Sequence, residues 1–170
     1  MFYTPVATNG GSRILDEFFV MLETLTPIAS LRFSRWSYAA INASHIFSIA
    51  LVVGGTIPLS LRLFGLWSKV PLAALVGVLS LSAGIGLGLA LISGAVLFAT
   101  RATEYSANPA FQIKMVFVLL GASSAVFAHR RYGWVLELAS DRALHRIAFV
   151  SCVCWIGALA SGRLVAFMSD

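Results

Sequence analysis

The chain has 170 residues, is 59% hydrophobic and 11% charged, and carries a net charge of +5, whereas soluble domains run at roughly 45–50% apolar and about 25% charged. Its apolar residues come in long blocks without a charge, which excludes disorder, collagen, coiled coil and a disulfide scaffold and indicates an integral membrane protein. The positive balance then belongs to loops facing anionic lipid, and no nucleic-acid partner is expected.

Residues 13–26 (RILDEFFVMLETLT) place Ile14, Phe18, Leu22 and Leu25 at helical spacing, with Asp16, Glu17 and Glu23 on the remaining positions. Ser12 suits the N-cap, the two acids fall where the helix dipole favours them, and Pro27 is expected to end the segment. The segment is too polar and short to span, and it lacks the cationic start and cleavage site of a signal peptide. It reads as an amphipathic helix lying in the interface across the bundle mouth, or docked on a partner subunit.

A hydrocarbon core about 30 Å thick needs about 20 helical residues. Spans are predicted at about 36–59, 71–100, 109–129 and 147–168, the third admitting Lys114 near its start and the fourth Arg163 near its end. Short connections make these an all-α, four-helix up-down bundle, and residues 1–170 read as a single membrane domain. Both termini and the second loop share one side, termed side A; the other loops lie on side B. Arg62, Lys69, Arg130, Arg131, Arg142 and Arg146 flank side B, against Arg13, Arg32, Arg35 and Arg101 on side A outside the spans. The excess of cations predicts side B in the cytoplasm and both termini in the periplasm.

Within the spans, Gly84-x-x-x-Gly88 in the second, and Gly157-x-x-x-Ser161 and Ala158-x-x-x-Gly162 in the fourth, are close-packing patterns. They predict packing within the bundle, with self-association or a partner helix as the alternative. The Gly-x-Gly-x-Gly string is no nucleotide fingerprint, because no strand precedes it. His45 stands about 13 Å into the first span, with Tyr38 and Asn42 on the same face and Ser48 near its edge. Such a face needs partners and should look into the bundle. His45 is either satisfied by a carbonyl or by Asn42, or it serves as a haem b or metal ligand or as a proton relay.

Lys114 and Arg163 enter from side A, where they either snorkel separately or form a positive mouth above His45. That mouth would suit haem propionates, a quinone headgroup or a lipid phosphate, while Glu104 could simply neutralise Arg163. His129 and His145 fall at the side B boundary and read as interfacial loop histidines, with a bis-histidine pair as the alternative. Met115 is the one soft residue at the depth of His45. Cys152 and Cys154, two apart on a helix, point to opposite sides and cannot bridge each other. The Asn42-Ala43-Ser44 sequon lies inside a span, and no Walker loop, zinc spacing or nucleophile elbow is present.

Several stretches carry a resemblance. They are Ser44-His45 with Leu51-Val-Val-Gly-Gly-Thr56 and Leu61-Arg-Leu-Phe-Gly-Leu66, then Gly94-Ala-Val-Leu-Phe98, Ala102-Thr-Glu-Tyr105 and Asn108-Pro-Ala-Phe-Gln-Ile-Lys114, and last Trp155 with Gly162-Arg163-Leu-Val-Ala166. Over about residues 35–167 the chain resembles a bacterial family of small four-helix inner-membrane proteins known as a domain of unknown function. It is more loosely similar to the copper-resistance membrane domain and to four-helix b-type cytochromes, which would imply a bis-histidine haem. Small size and absent catalytic motifs predict a non-enzymatic subunit or accessory protein of an inner-membrane complex. The rival is a haem b- or quinone-linked electron-transfer protein centred on His45, Asn42, Tyr38, Lys114 and Arg163.

Overall fold

A computed structural model describes residues 10–168, and among them every regular element is helical. The order is α1 (Gly10–Thr24), α2 (Thr26–Phe33), α3 (Arg35–Leu63), α4 (Leu72–Thr100), α5 (Ala102–Ala107), α6 (Pro109–Tyr132) and α7 (Asp141–Met168). Four of these, α3, α4, α6 and α7, are long and apolar enough to cross a membrane, with mean hydropathy between 1.7 and 2.3. The protein is therefore a multi-pass membrane protein, and its apolar helices contact the bilayer.

The spans are helical beyond the predicted apolar limits. At 29 residues, α3 and α4 are each about 43 Å long, more than a core of about 30 Å requires. α7 begins at Asp141, six positions before the predicted 147. Its extra turns carry Asp141, Arg142 and Arg146, all exposed, while the backbone stays helical. The amphipathic segment also differs from expectation. α1 already runs through Ser12, so that residue is inside the helix and does not cap it. The segment does stop before Pro27, with α1 ending at Thr24, but Pro27 also occupies the first turn of a second helix, α2, where its missing N–H costs nothing. The side chains of Arg13 and Arg32 lie outside the described residues.

Caps fix the other helix starts. The Ser34 hydroxyl accepts from Ser37 N–H at 3.4 Å at the head of α3. The buried Asn108 side chain accepts from Ala110 N–H at 2.9 Å and Phe111 N–H at 3.3 Å at the head of α6, with Pro109 beside it in the first turn. Inside the spans, Ser48, Thr56, Ser60, Ser93 and Ser161 each donate to the carbonyl four residues back, which removes their hydroxyls from competition in an apolar setting.

α3 packs on α4 and on α7, and α7 packs on α6, whereas no Cα of α4 comes within 8 Å of one in α6. The bundle is thus two hairpins joined along α3 and α7, with one open flank. The α3–α4 seam rests on two glycines. A Cβ on Gly55 would stand 2.6 Å from the Leu79 carbonyl oxygen, and one on Gly86 would stand 2.7 Å from Leu51 Cβ and 2.9 Å from the Ser48 carbonyl oxygen. This corrects the predicted use of Gly84 and Gly88, where a Cβ would meet nothing within 4 Å. Spacing identified α4 as a close-packing helix, but the face in contact is turned by two residues, about 160° around the axis.

In the other hairpin, Gly157 faces the Phe117 ring, Gly121 faces Trp155 and Cys154, and Ser161 is buried. The cysteines are free. On side B the loop after α6 tucks Leu136 among Leu63, Val76, Ala128 and Ala148. Leu136 adopts φ 60° to do so, a left-handed conformation held in place by that burial.

Candidate functional site

At the side A end, an aromatic run ties four helices together. Phe19 of α1 meets Phe98 of α4 edge-on at 5.8 Å, Phe98 stacks on Phe111 of α6 at 5.4 Å, and Phe111 stacks on Tyr105 of α5 at 5.7 Å. The Glu23 carboxylate accepts from Thr103 N–H at 2.9 Å and from its hydroxyl at 2.7 Å, seating α1 on the first turn of α5. Ile14, Phe18 and Met21 share the opposite, exposed stripe of α1, and Leu25, just past its end, is exposed as well. The helix is thus held to the bundle on one side and presents an exposed apolar stripe on the other.

Below this cover sit His45 and Lys114. The Ser93 hydroxyl donates to the Leu89 carbonyl at 2.7 Å, so at 3.0 Å it accepts from His45 Nδ1, which carries the proton. The imidazole also hydrogen-bonds the Ala90 backbone carbonyl, so the ring is held by a serine and a carbonyl of α4. The ring lies on α4 where a side chain is missing: a Cβ on Gly94 would stand 2.9 Å from His45 Cε1. Gly94 therefore makes room for the imidazole, a role its sequence neighbours do not disclose.

Lys114 is half-buried and runs inward along α7, with Nζ 3.8 Å from where a Gly162 Cβ would stand. Its ammonium is near enough to His45 for the two charges to interact. No other described residue forms a hydrogen bond or ion pair with it. An inward lysine with no carboxylate partner among the described residues can hold an anionic or carbonyl-bearing group.

The other sequence candidates are placed differently. Tyr38 is half-buried next to Tyr105, whose phenol is pushed above its usual range by burial and then by the Tyr38 hydroxyl beside it. Tyr38 therefore faces the cover above His45. Asn42 is exposed on the outer side of α3. Arg163 is exposed and lies over the ring of Phe167 on its own helix, 5.2 Å from the centroid. Glu104 pairs with Arg101 at 3.3 Å. The structure thus brings His45, Lys114 and Tyr38 towards one end of the interior, while Asn42 and Arg163 face outward.

His129 and His145 lie at side B and are engaged separately. His129 Nδ1 donates to the Trp134 carbonyl at 2.9 Å and stacks on its indole, and His145 Nδ1 donates to the Asp141 carbonyl at 2.7 Å. Neither histidine is at the depth of His45, so neither can pair with it. Met115 follows Lys114 directly and so points about 100° away from it.

A second feature has no counterpart in the sequence reading. On the side B half, where α4 and α6 stand apart, a cavity of about 500 Å³ opens between them. Trp155 lines it within the membrane, and His129, Arg130 and Trp134 line it towards the surface. Ser80 also lines it, with its hydroxyl oxygen enclosed by protein and lacking a hydrogen-bond partner. The residues missing from the wall are as telling as those present: Ala83, Gly84, Ala122 and Ala125 leave the space that larger side chains would fill.

No protein-family model matches this chain, and neither does any curated protein or solved structure.

Proposed function

We propose that the protein is a non-enzymatic integral subunit or accessory protein of a bacterial inner-membrane complex, docking on another membrane helix through the outer face of α3. The carrying observation is Asn42. Its amide is exposed about 9 Å below Trp36, where an aromatic ring marks the interface. Ala39 and Ala43 lie beside it, all exposed, and the exposed Ile46 and Phe47 separate them from Ala50 and Gly54, two to three turns further along the helix. Small residues allow close helix approach, and an amide hydrogen-bonds across such a contact. On this reading the chain belongs with the four-helix inner-membrane proteins it resembles over residues 35–167.

Asn42→Val tests the docking face. Native gels of detergent-solubilised membranes should show the wild-type chain in an assembly larger than a monomer, and the variant shifted towards the monomer with its unfolding temperature unchanged. An interhelical amide bond is worth roughly 0.6–2 kcal/mol, so the shift corresponds to a few-fold to about thirtyfold weaker association. Assembly that is identical in the variant removes the proposal.

The orientation follows from the six cations flanking side B, Arg62, Lys69, Arg130, Arg131, Arg142 and Arg146, against four on side A. Side B faces the cytoplasm and the termini face the periplasm. A C-terminal alkaline phosphatase fusion is expected to be active, and a fluorescent protein that matures only in the cytoplasm is expected to be dark. The reverse pattern would invert the orientation.

A second reading rests on His45 and Lys114: the inward ammonium beside the imidazole suits a quinone ring or an anionic headgroup admitted beneath α1. Binding of decylubiquinone that is lost in Lys114→Met would support it.

A further inference from the structure

The cavity on the side B half belongs to neither of those readings. It runs along α4 from Ser80 to Leu87, about 10 Å. Its volume of about 500 Å³ falls within the roughly 300–1,000 Å³ of known ligand pockets. A helix about 10 Å across would need roughly 800 Å³ over the same length, so a transmembrane helix is too large for it. A single hydrocarbon chain is not. Both flanking helices are membrane spans, and they do not close on each other. The opening is therefore continuous with the surface that already contacts the bilayer.

The mouth is charged. Arg62 is committed to the carbonyls of Ser68 and Val70, and Arg131 lies over the Tyr132 ring. Arg130 lines the cavity, and no hydrogen bond or ion pair joins it to another described residue. Basic pockets between spans are where anionic headgroups settle.

We propose that this cavity is a site for an anionic phospholipid, with one acyl chain inserted laterally between α4 and α6 and the phosphate at Arg130. The small residues on both walls are the recognition element for the chain, and the charge at Arg130 selects the head. Trp155 and Trp134 line the space, so a bromine-bearing chain in it would quench their fluorescence.

The test uses the full chain carrying Trp36→Phe and Trp67→Phe, reconstituted in phosphatidylcholine bilayers and titrated with phosphatidylglycerol brominated at mid-chain. Quenching is expected to saturate at low mole fraction, and to be stronger than with brominated phosphatidylcholine at the same mole fraction. Arg130→Gln, at an exposed position, should weaken the phosphatidylglycerol preference about fivefold, the worth of one cation near a membrane surface. Gly84→Leu, which fills the cavity from α4, should abolish the saturating phase. Ala125→Leu does the same from α6 should the first variant fail to fold. Quenching proportional to mole fraction, equal for both lipids and indifferent to these changes, overturns the proposal. Saturation without headgroup preference overturns the role of Arg130, and displacement by decylubiquinone alone would assign the cavity to a neutral ring.

Discussion

Gly86→Leu is expected to separate α4 from α3 and to lower stability by about 2–3 kcal/mol, the cost of overpacking a fitted interior. A Cβ at that position already meets Leu51 Cβ at 2.7 Å and the Ser48 carbonyl oxygen at 2.9 Å. Neither partner can yield, since one is the root of a side chain and the other is backbone. Gly84→Leu, two residues away, should behave in the opposite way. Its Cβ meets nothing within 4 Å, and replacing a helical glycine gains up to about 1 kcal/mol in propensity. Thermal unfolding in detergent of both variants, with Gly88→Leu beside them, checks the register. Equal losses at Gly84 and Gly86 would mean that α4 is turned differently against α3.

The second large effect is of opposite sign to what a substitution at an interior cation suggests. Lys114→Met is expected to stabilise the fold by about 1–2 kcal/mol, part of the few kcal/mol that a lysine costs inside a bilayer. The ammonium is half-buried against Gly162, with no carboxylate on it among the described residues, and methionine keeps the length of the stem. Arg163→Met, on an exposed residue that rests on Phe167, should change stability little. Unfolding temperatures of the two variants, measured in the same detergent, decide the matter. A loss in Lys114→Met would show that an anion already compensates the charge in the purified protein.

The four spans were legible because the bilayer writes its thickness into the chain as runs of apolar residues. Their ends were not, since polarity marks where water begins and the backbone at Asp141 or Arg130 stays helical past that point. The glycines of α4 show the same division. A helix that needs close approach is rich in glycine, but Gly84, Gly86 and Gly88 differ only in azimuth, and azimuth is set by α3.

Depth alone placed His45 in the interior, and its partner Ser93 lies on another helix 48 residues away, so no local pattern could name it. The inward turn of Lys114 and the outward turn of Arg163 follow from the same helix rotations. The cavity is harder still, because it consists of volume absent at Ala83, Gly84, Ala122 and Ala125, and each of those residues is ordinary by itself.

The order α4, α3, α7, α6 has a kinetic meaning. Within each hairpin, α3 with α4 and α6 with α7, the partners are sequence neighbours joined by a short turn, so their pairing closes small loops and is fast. The α3–α7 contact instead joins segments about a hundred residues apart, across all of α4, α5 and α6. Joining the two hairpins therefore closes the longest loop in the chain and carries the larger entropic cost. Wherever that contact is not made, the inner faces of α3 and α7 are open to whatever other helix is nearby.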